Sequence, residues 1–112
     1  MAIPSGTGTE VLKRYIKEAQ DDTESTAITG VANHIYTILS IIATNQDSSN
    51  SHVFYIKVNG LFLTRGAPEV GPNQTFIWND KFVLSGTDTL KIDGDSSSNF
   101  DVIISYIDED FS

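Results

Sequence analysis

A chain of 112 residues makes one domain around one core, and at this length it buries a little over about 60% of its unfolded surface. Seven basic against fifteen acidic residues give a formal charge of -8, which opposes generic binding to nucleic acid because the phosphates would be repelled. The lack of cysteine excludes a disulfide framework, a thiolate metal site and a cysteine nucleophile within this sequence.

Residues 1 to 9, MAIPSGTGT, hold one Pro, two Gly and little to bury, and read as an extended N-terminal arm ahead of a domain at 10–112. The N-terminus has no charged lead followed by an apolar stretch, and no run of about 18 apolar residues occurs, so neither a secretory signal nor a membrane span is expected. Then come Lys13, Arg14 and Lys17, three of the seven basic residues, close together. Alternation in EVLKRYIKEA favours an edge strand over the helix that Leu12, Tyr15, Ile16 and Ala19 also fit, since edge strands commonly carry Lys and Arg.

QDDTES at 20–25 reads as a loop. From His34 to Gln46, Ile35, Leu39 and Ile41 fall on one side and Tyr36, Ile38 and Ile42 on the other, as in a central strand covered on both faces. After the turn QDSSNS, Asn59-Gly60 is the pair favoured in a type I′ turn and predicts a hairpin of strands 53–58 and 61–65. In that register Val58 faces Leu61 and Ile56 faces Leu63 on the buried side with Phe54. Tyr55 and Lys57 then share the other side with Phe62 and Thr64. GAPEVGPNQ must be a loop; TFIWNDKFVLS is a strand bent at Asn79-Asp80; TLKI is a short strand, and DGDSSSN is a turn. In the last strand Phe100, Val102, Ile104 and Tyr106 form an alternating core face. About eight short strands and no long helix predict an all-β fold, a single small jelly-roll-like β-sandwich.

The search for chemistry yields little. His34 and His52 each begin a predicted strand beside a polar turn and read as surface residues. No G-x-S-x-G pattern, phosphate-cradling loop or zinc spacing is present, so neither a catalytic residue nor a cofactor or metal is expected. Asp93, Asp95 and Ser97 make a D-x-D-x-S run that offers oxygens to calcium, but the remainder of a twelve-residue calcium loop is missing and the turn reading prevails. Asp108, Glu109 and Asp110 read as a solvated tail, with an electrostatic contact to a basic segment as the alternative. Trp78, with Asn79 and Asp80 beside it, is the one candidate for a sugar site and reads first as a core or interface residue.

Three stretches taken together, PSGTGTEVLKR, HIYTILSIIATNQDSSNSHVFYIKVNG and NQTFIWNDKFVLSGTDTLKI, resemble the small β-sandwich proteins of tailed-bacteriophage virions, chiefly capsid decoration or cement proteins. The resemblance covers about two thirds of the chain. It implies a non-catalytic structural subunit, assembled in host cytoplasm into the virion, often as homotrimers, whose partner is the major capsid protein or another virion subunit. A tail, collar or fibre subunit is the first alternative, and a carbohydrate- or receptor-binding module of the virion the second.

Contact residues follow from the physics alone. An arm followed by Lys13, Arg14 and Lys17 suits docking on an acidic neighbour, with many weak contacts multiplied by avidity. Phe62, Ile103 and Ile107 are apolar residues beyond what one small sandwich needs to bury, and point to a subunit interface.

Overall fold

The computed structural model describes residues 8–65 and 69–112. Its strands are β1 (Thr9–Gln20), β2 (Ser25–Thr29), β3 (His34–Asn45), β4 (His52–Val58), β5 (Leu61–Phe62), β6 (Glu69–Val70), β7 (Thr75–Trp78), β8 (Phe82–Ser85), β9 (Thr89–Gly94) and β10 (Phe100–Asp110). The Ile, Val, Thr and aromatic residues that dominate these segments suit a pleated, half-buried surface.

The strands form two antiparallel sheets. A long sheet runs β1-β10-β3 and ends in β7 and β8, which lie end to end along β3. A short sheet runs β2-β9-β4 and ends in β5 and β6 along β4. Counting each of those broken pairs as one strand gives eight, the number expected from sequence, though β2 is not among the strands read there. The chain then alternates between sheets in the jelly-roll manner. Phe54, Ile56, Leu90 and Ile92 of the short sheet pack on Ile38, Ile41, Phe100 and Ile104 of the long one, all fully or almost fully buried. The expected core face of the final strand is present, with Tyr106 partly buried at its end.

The hairpin forms with the turn and register read, but Leu61, expected on the buried side, is 70% exposed at its tip. Asn59 and Gly60 have φ of 51° and 83°, and Val58 pairs with Leu61. Its second strand is shorter than expected, however, because the chain turns inward after Phe62. Thr64, expected beside Phe62 on the outer side, is buried; its hydroxyl donates to Phe54 O at 2.7 Å and accepts from Ile56 N at 3.1 Å. One side chain thus replaces part of a ladder.

β3 departs from the expected pattern in an instructive way. Its buried residues are Tyr36 and Ile38, then Ile41, Ala43 and Asn45, so the parity changes midway. The register to β10 shifts at the same place: Ser105 pairs with Ser40 but Tyr106 pairs with Ile38, leaving Leu39 as an extra residue. A β-bulge of this kind adds one residue and flips every side chain beyond it. Simple alternation therefore put Ile41 on the wrong face.

Other differences are local. Gln20 closes β1 and is buried, and β2 occupies Ser25–Thr29 where no strand was expected. β6 lies within the expected loop after Arg65, of which 66–68 fall outside the described residues. β9 continues through Asp93 and Gly94. Residues 1–7 of the expected arm are also outside the described residues, and Thr9 already pairs with Asp110. Gly30 marks a close approach: a Cβ there would stand 2.0 Å from Gly86 O and 2.6 Å from Asp88 O, and its N–H donates to Asp88 O at 2.9 Å.

Candidate interaction surface

Side chains alternate across a strand, so each sheet has an inner and an outer face. On the outer face of the long sheet, Ile16 lies opposite Ile103, Ile103 opposite Ile42, and Ile42 opposite Ile77, a row of isoleucine across the whole sheet. A second row aligns Leu12, Ile107, Thr37 and Val83. These are open positions: Leu12 is 72% exposed, Ile77 59%, Ile16 53%, Val83 52% and Ile103 42%. The rows lie about 14 Å apart and each spans about 14 Å of backbone. Between them runs a polar row, Arg14 opposite Ser105 and Ser105 opposite Ser40, so the face carries two exposed apolar stripes, and exposed apolar surface of this kind marks contact sites.

The outer face of the short sheet is the opposite in character. Lys57 Nζ contacts Glu24 at 2.8 Å and Asp93 at 3.2 Å, and Lys91 reaches Glu24 at 3.5 Å. Hydrogen bonding to Glu24 raises the Lys57 pKa, while burial raises that of Asp93 despite Lys57 beside it. Phe62 sits here with Lys57 Nζ 4.8 Å and Arg65 Cζ 4.9 Å from its ring centre, and Tyr55 edge-on at 5.9 Å. The structure thus places Phe62 on the flank away from Ile103 and Ile107, its ring flanked by two cations and still 40% exposed.

The three clustered cations are also divided. Along β1, Lys13 and Lys17 share the inner side with Val11 and Tyr15, whereas Arg14 stands on the outer side between Leu12 and Ile16. Lys13 is committed within the chain, its Nζ 2.7 Å from Asp108. Asp108 also receives His34 Nδ1 at 2.7 Å, and Asp110 lies 3.4 Å from His34 Nε2. Burial opposes ionisation of Asp108, but the hydrogen bonds from Lys13 and His34 prevail and its pKa is lowered. The acidic tail is accordingly no tail: Asp108, Glu109 and Asp110 are β10 residues, and the alternative of an electrostatic contact to a basic segment holds inside one chain.

His52 is buried, against the expectation of a surface residue. Its Nε2 meets Asp47 at 2.9 Å and its Nδ1 meets Asp95 at 2.7 Å. Both ring nitrogens are engaged, which leaves neither a lone pair for a metal nor a site for proton abstraction. Asp95 also accepts from Val53 N at 3.0 Å, whereas Asp93 points to Lys57, so the two carboxylates of the D-x-D-x-S run serve different partners. The Asp47 and then the Asp95 hydrogen bonds raise the His52 pKa above its ordinary 6.5, and the His52 bond holds Asp47 well below the usual carboxylate range. The sign of the pH effect follows. Stability from a raised histidine is complete below 6.5 and is lost as pH climbs through the folded-state value. In thermal melts, the gap between wild type and His52→Gln should be widest near about pH 5 and shrink toward about pH 9. A gap that grew with pH would mean that the ring is held neutral.

Asn45 was not singled out by any sequence pattern, yet it is fully buried at the end of β3. Its Nδ2 donates to the carbonyls of Asn50 at 3.0 Å, Val70 at 3.0 Å and Gly71 at 3.2 Å, and its Oδ1 accepts from Asp47 N at 2.9 Å. Trp78 packs against the core, as read first, with its indole N–H donating to Asp80 O at 2.9 Å and Phe82 edge-on at 6.4 Å.

No protein-family model matches the chain, and no curated protein does. Among solved structures the chain is similar to a subunit of Bacillus endospore appendages, described as a novel family of disulfide-linked pili. The TM-score is 0.54 and the identity 15%, over 100% of this chain and 97% of that one. At that identity the likeness is one of fold: both are β-sandwiches of the same extent.

Proposed function

We propose that the chain is a non-catalytic structural subunit that works by binding other protein subunits in an ordered assembly, and specifically a decoration subunit on the capsid lattice of a tailed phage. The observation that carries the assembly reading is the contrast between the two outer faces. A sandwich whose core is already filled carries a largely exposed row of isoleucine, Ile16, Ile103, Ile42 and Ile77, across the outer face of its long sheet. Burying such a surface on a neighbouring subunit gains roughly 25 cal/mol per Å². The decoration reading rests on the sequence resemblance, with trimers as the family expectation.

A second reading, a filament subunit, draws on the fold shared with a pilus protein. Since this sequence has no cysteine, such a filament would be held by non-covalent contacts between these residues.

Quantitative mass spectrometry of virions from the strain that carries the gene tests the leading reading. A copy number matching the capsid lattice supports it, one matching the tail favours the tail alternative, and absence of the chain overturns both. Ile103→Lys should remove the chain from particles and leave its melting temperature within about 1 °C, because the side chain is exposed in the isolated subunit.

A further inference from the structure

Among the described residues β1 is the outer strand of the long sheet and pairs on one side only, with β10. Which of its residues turn their backbone groups to the open side can be worked out from the ladder. Phe111 N donates to Asn33 O at 2.9 Å and Gln46 N to Asn99 O at 2.8 Å, so odd-numbered residues of β10 face β3. Even-numbered ones then face β1, where Asp108, Tyr106 and Ile104 pair with Val11, Lys13 and Tyr15. Hydrogen-bonding direction alternates along an antiparallel strand. The free N–H and C=O groups of β1 are therefore those of Glu10, Leu12, Arg14 and Ile16. These are also the residues whose side chains stand on the apolar outer face.

Their order, Glu10-x-Leu12-x-Arg14, is self-complementary. We propose that β1 pairs antiparallel with β1 of a second copy about a two-fold axis through Leu12. This deepens the assembly reading and rests on it, with a two-fold dimer in place of the trimer of the family expectation. Leu12 then meets the second copy's Leu12, and Glu10 meets the second copy's Arg14 on both sides of the axis. Three hydrogen-bonded pairs exchange about six backbone bonds. The row Val83, Thr37, Ile107, Leu12 continues into its symmetry mate as one apolar stripe. Inward-facing charges ordinarily guard an open edge. Here Lys13 is drawn back to Asp108, and its position faces Val11 of the second copy. The competing register, centred on Ile16, pairs Arg14 with Glu18, but the ladder shifts between Lys17 and Gln20 and Ala19 has φ of 54°, which takes Glu18 out of line.

The absence of cysteine gives a clean test. The two-fold sets the paired Leu12 Cα atoms about 5.5 Å apart, within disulfide range, and the two Ile16 Cα atoms roughly 27 Å apart. On mild oxidation Leu12→Cys should give covalent dimer and Ile16→Cys should not. By sedimentation equilibrium, Glu10→Arg should weaken the dimer at least about tenfold, and E10R/R14E together should restore it. Equal cross-linking at both positions, no rescue by the double variant, a monomeric wild type, or a trimer each overturns the pairing. If the dimer is absent but Ile103→Lys still removes the chain from particles, only the pairing falls. If the dimer forms and virions lack the chain, the pairing stands and the virion reading falls.

Discussion

Phe54→Ala is expected to cost about 4 kcal/mol and to lower the melting temperature by about 15 °C. Phe54 is almost fully buried where the two sheets meet, its ring edge-on to Phe100 at 5.2 Å and tilted to Phe76 at 6.1 Å. Truncation loses the transfer energy of the ring, leaves a cavity, and removes two aromatic contacts of about 0.5–1.5 kcal/mol each. A domain of this size has about 5–15 kcal/mol of stability in all, so the loss takes about a quarter or more of it. Phe62→Ala is the control. That ring lies on the outer face of the short sheet, and its removal should cost no more than about 1 kcal/mol. Chemical denaturation of both variants tests the assignment of inner and outer sides across the hairpin, and similar losses would refute it.

Asn45→Ala should cost about 3 kcal/mol, the second largest effect expected, and the damage should be concentrated at one end of the sandwich. The amide holds three carbonyls and one N–H from two segments, the turn at 47–50 and the end of β6 at Val70 and Gly71. Each buried group left without a partner costs about 1–3 kcal/mol. Asn45 also supports His52 indirectly, since it fixes the backbone of Asp47 and the Asp47 carboxylate holds the ring. Asn45→Asp should be worse than Ala, because it turns an acceptor oxygen toward three carbonyl oxygens. Hydrogen exchange should show the amides of Asp47 and Val70 losing protection first. A milder Asp variant would show that the amide is oriented the other way.

Much of the fold was legible in the residues. Asn59-Gly60 fixed a turn and a register, and Phe100, Val102 and Ile104 alternate because the extra residues of the neighbouring ladders lie on β1 and β3, not on β10. What escaped did so for physical reasons. β2 is five residues of mixed polarity and carries little periodic signal. Leu39 is an extra residue whose only sign is a change of parity, and such a change reads as a strand covered on both faces. Thr64 and Asn45 are buried because their polar atoms find backbone partners, which no hydropathy pattern reveals. The acids at 108–110 looked like a tail because the counter-charges, Lys13 and His34, are distant in sequence.

The candidate surface was legible only in part. Ile103 and Ile107 stood out as surplus apolar residues on the last strand. Ile16, Ile42 and Ile77 did not, since each looks ordinary on its own strand and joins the row only through the register between strands. Phe62 carried the same sequence signal but belongs to the other flank, between two cations. Of the basic cluster, one member turned out to be tied to Asp108 and only Arg14 stands on the apolar side.

The unequal flanks also bear on how thick any assembly becomes. A subunit laid down by its isoleucine side turns Glu24, Lys57, Lys91 and Asp93 toward the solvent, a finished ionic coat with its charges already matched. A further subunit arriving by its own apolar side would have to strip water from that coat without replacing it, which is unfavourable. Growth by this route stops at a monolayer.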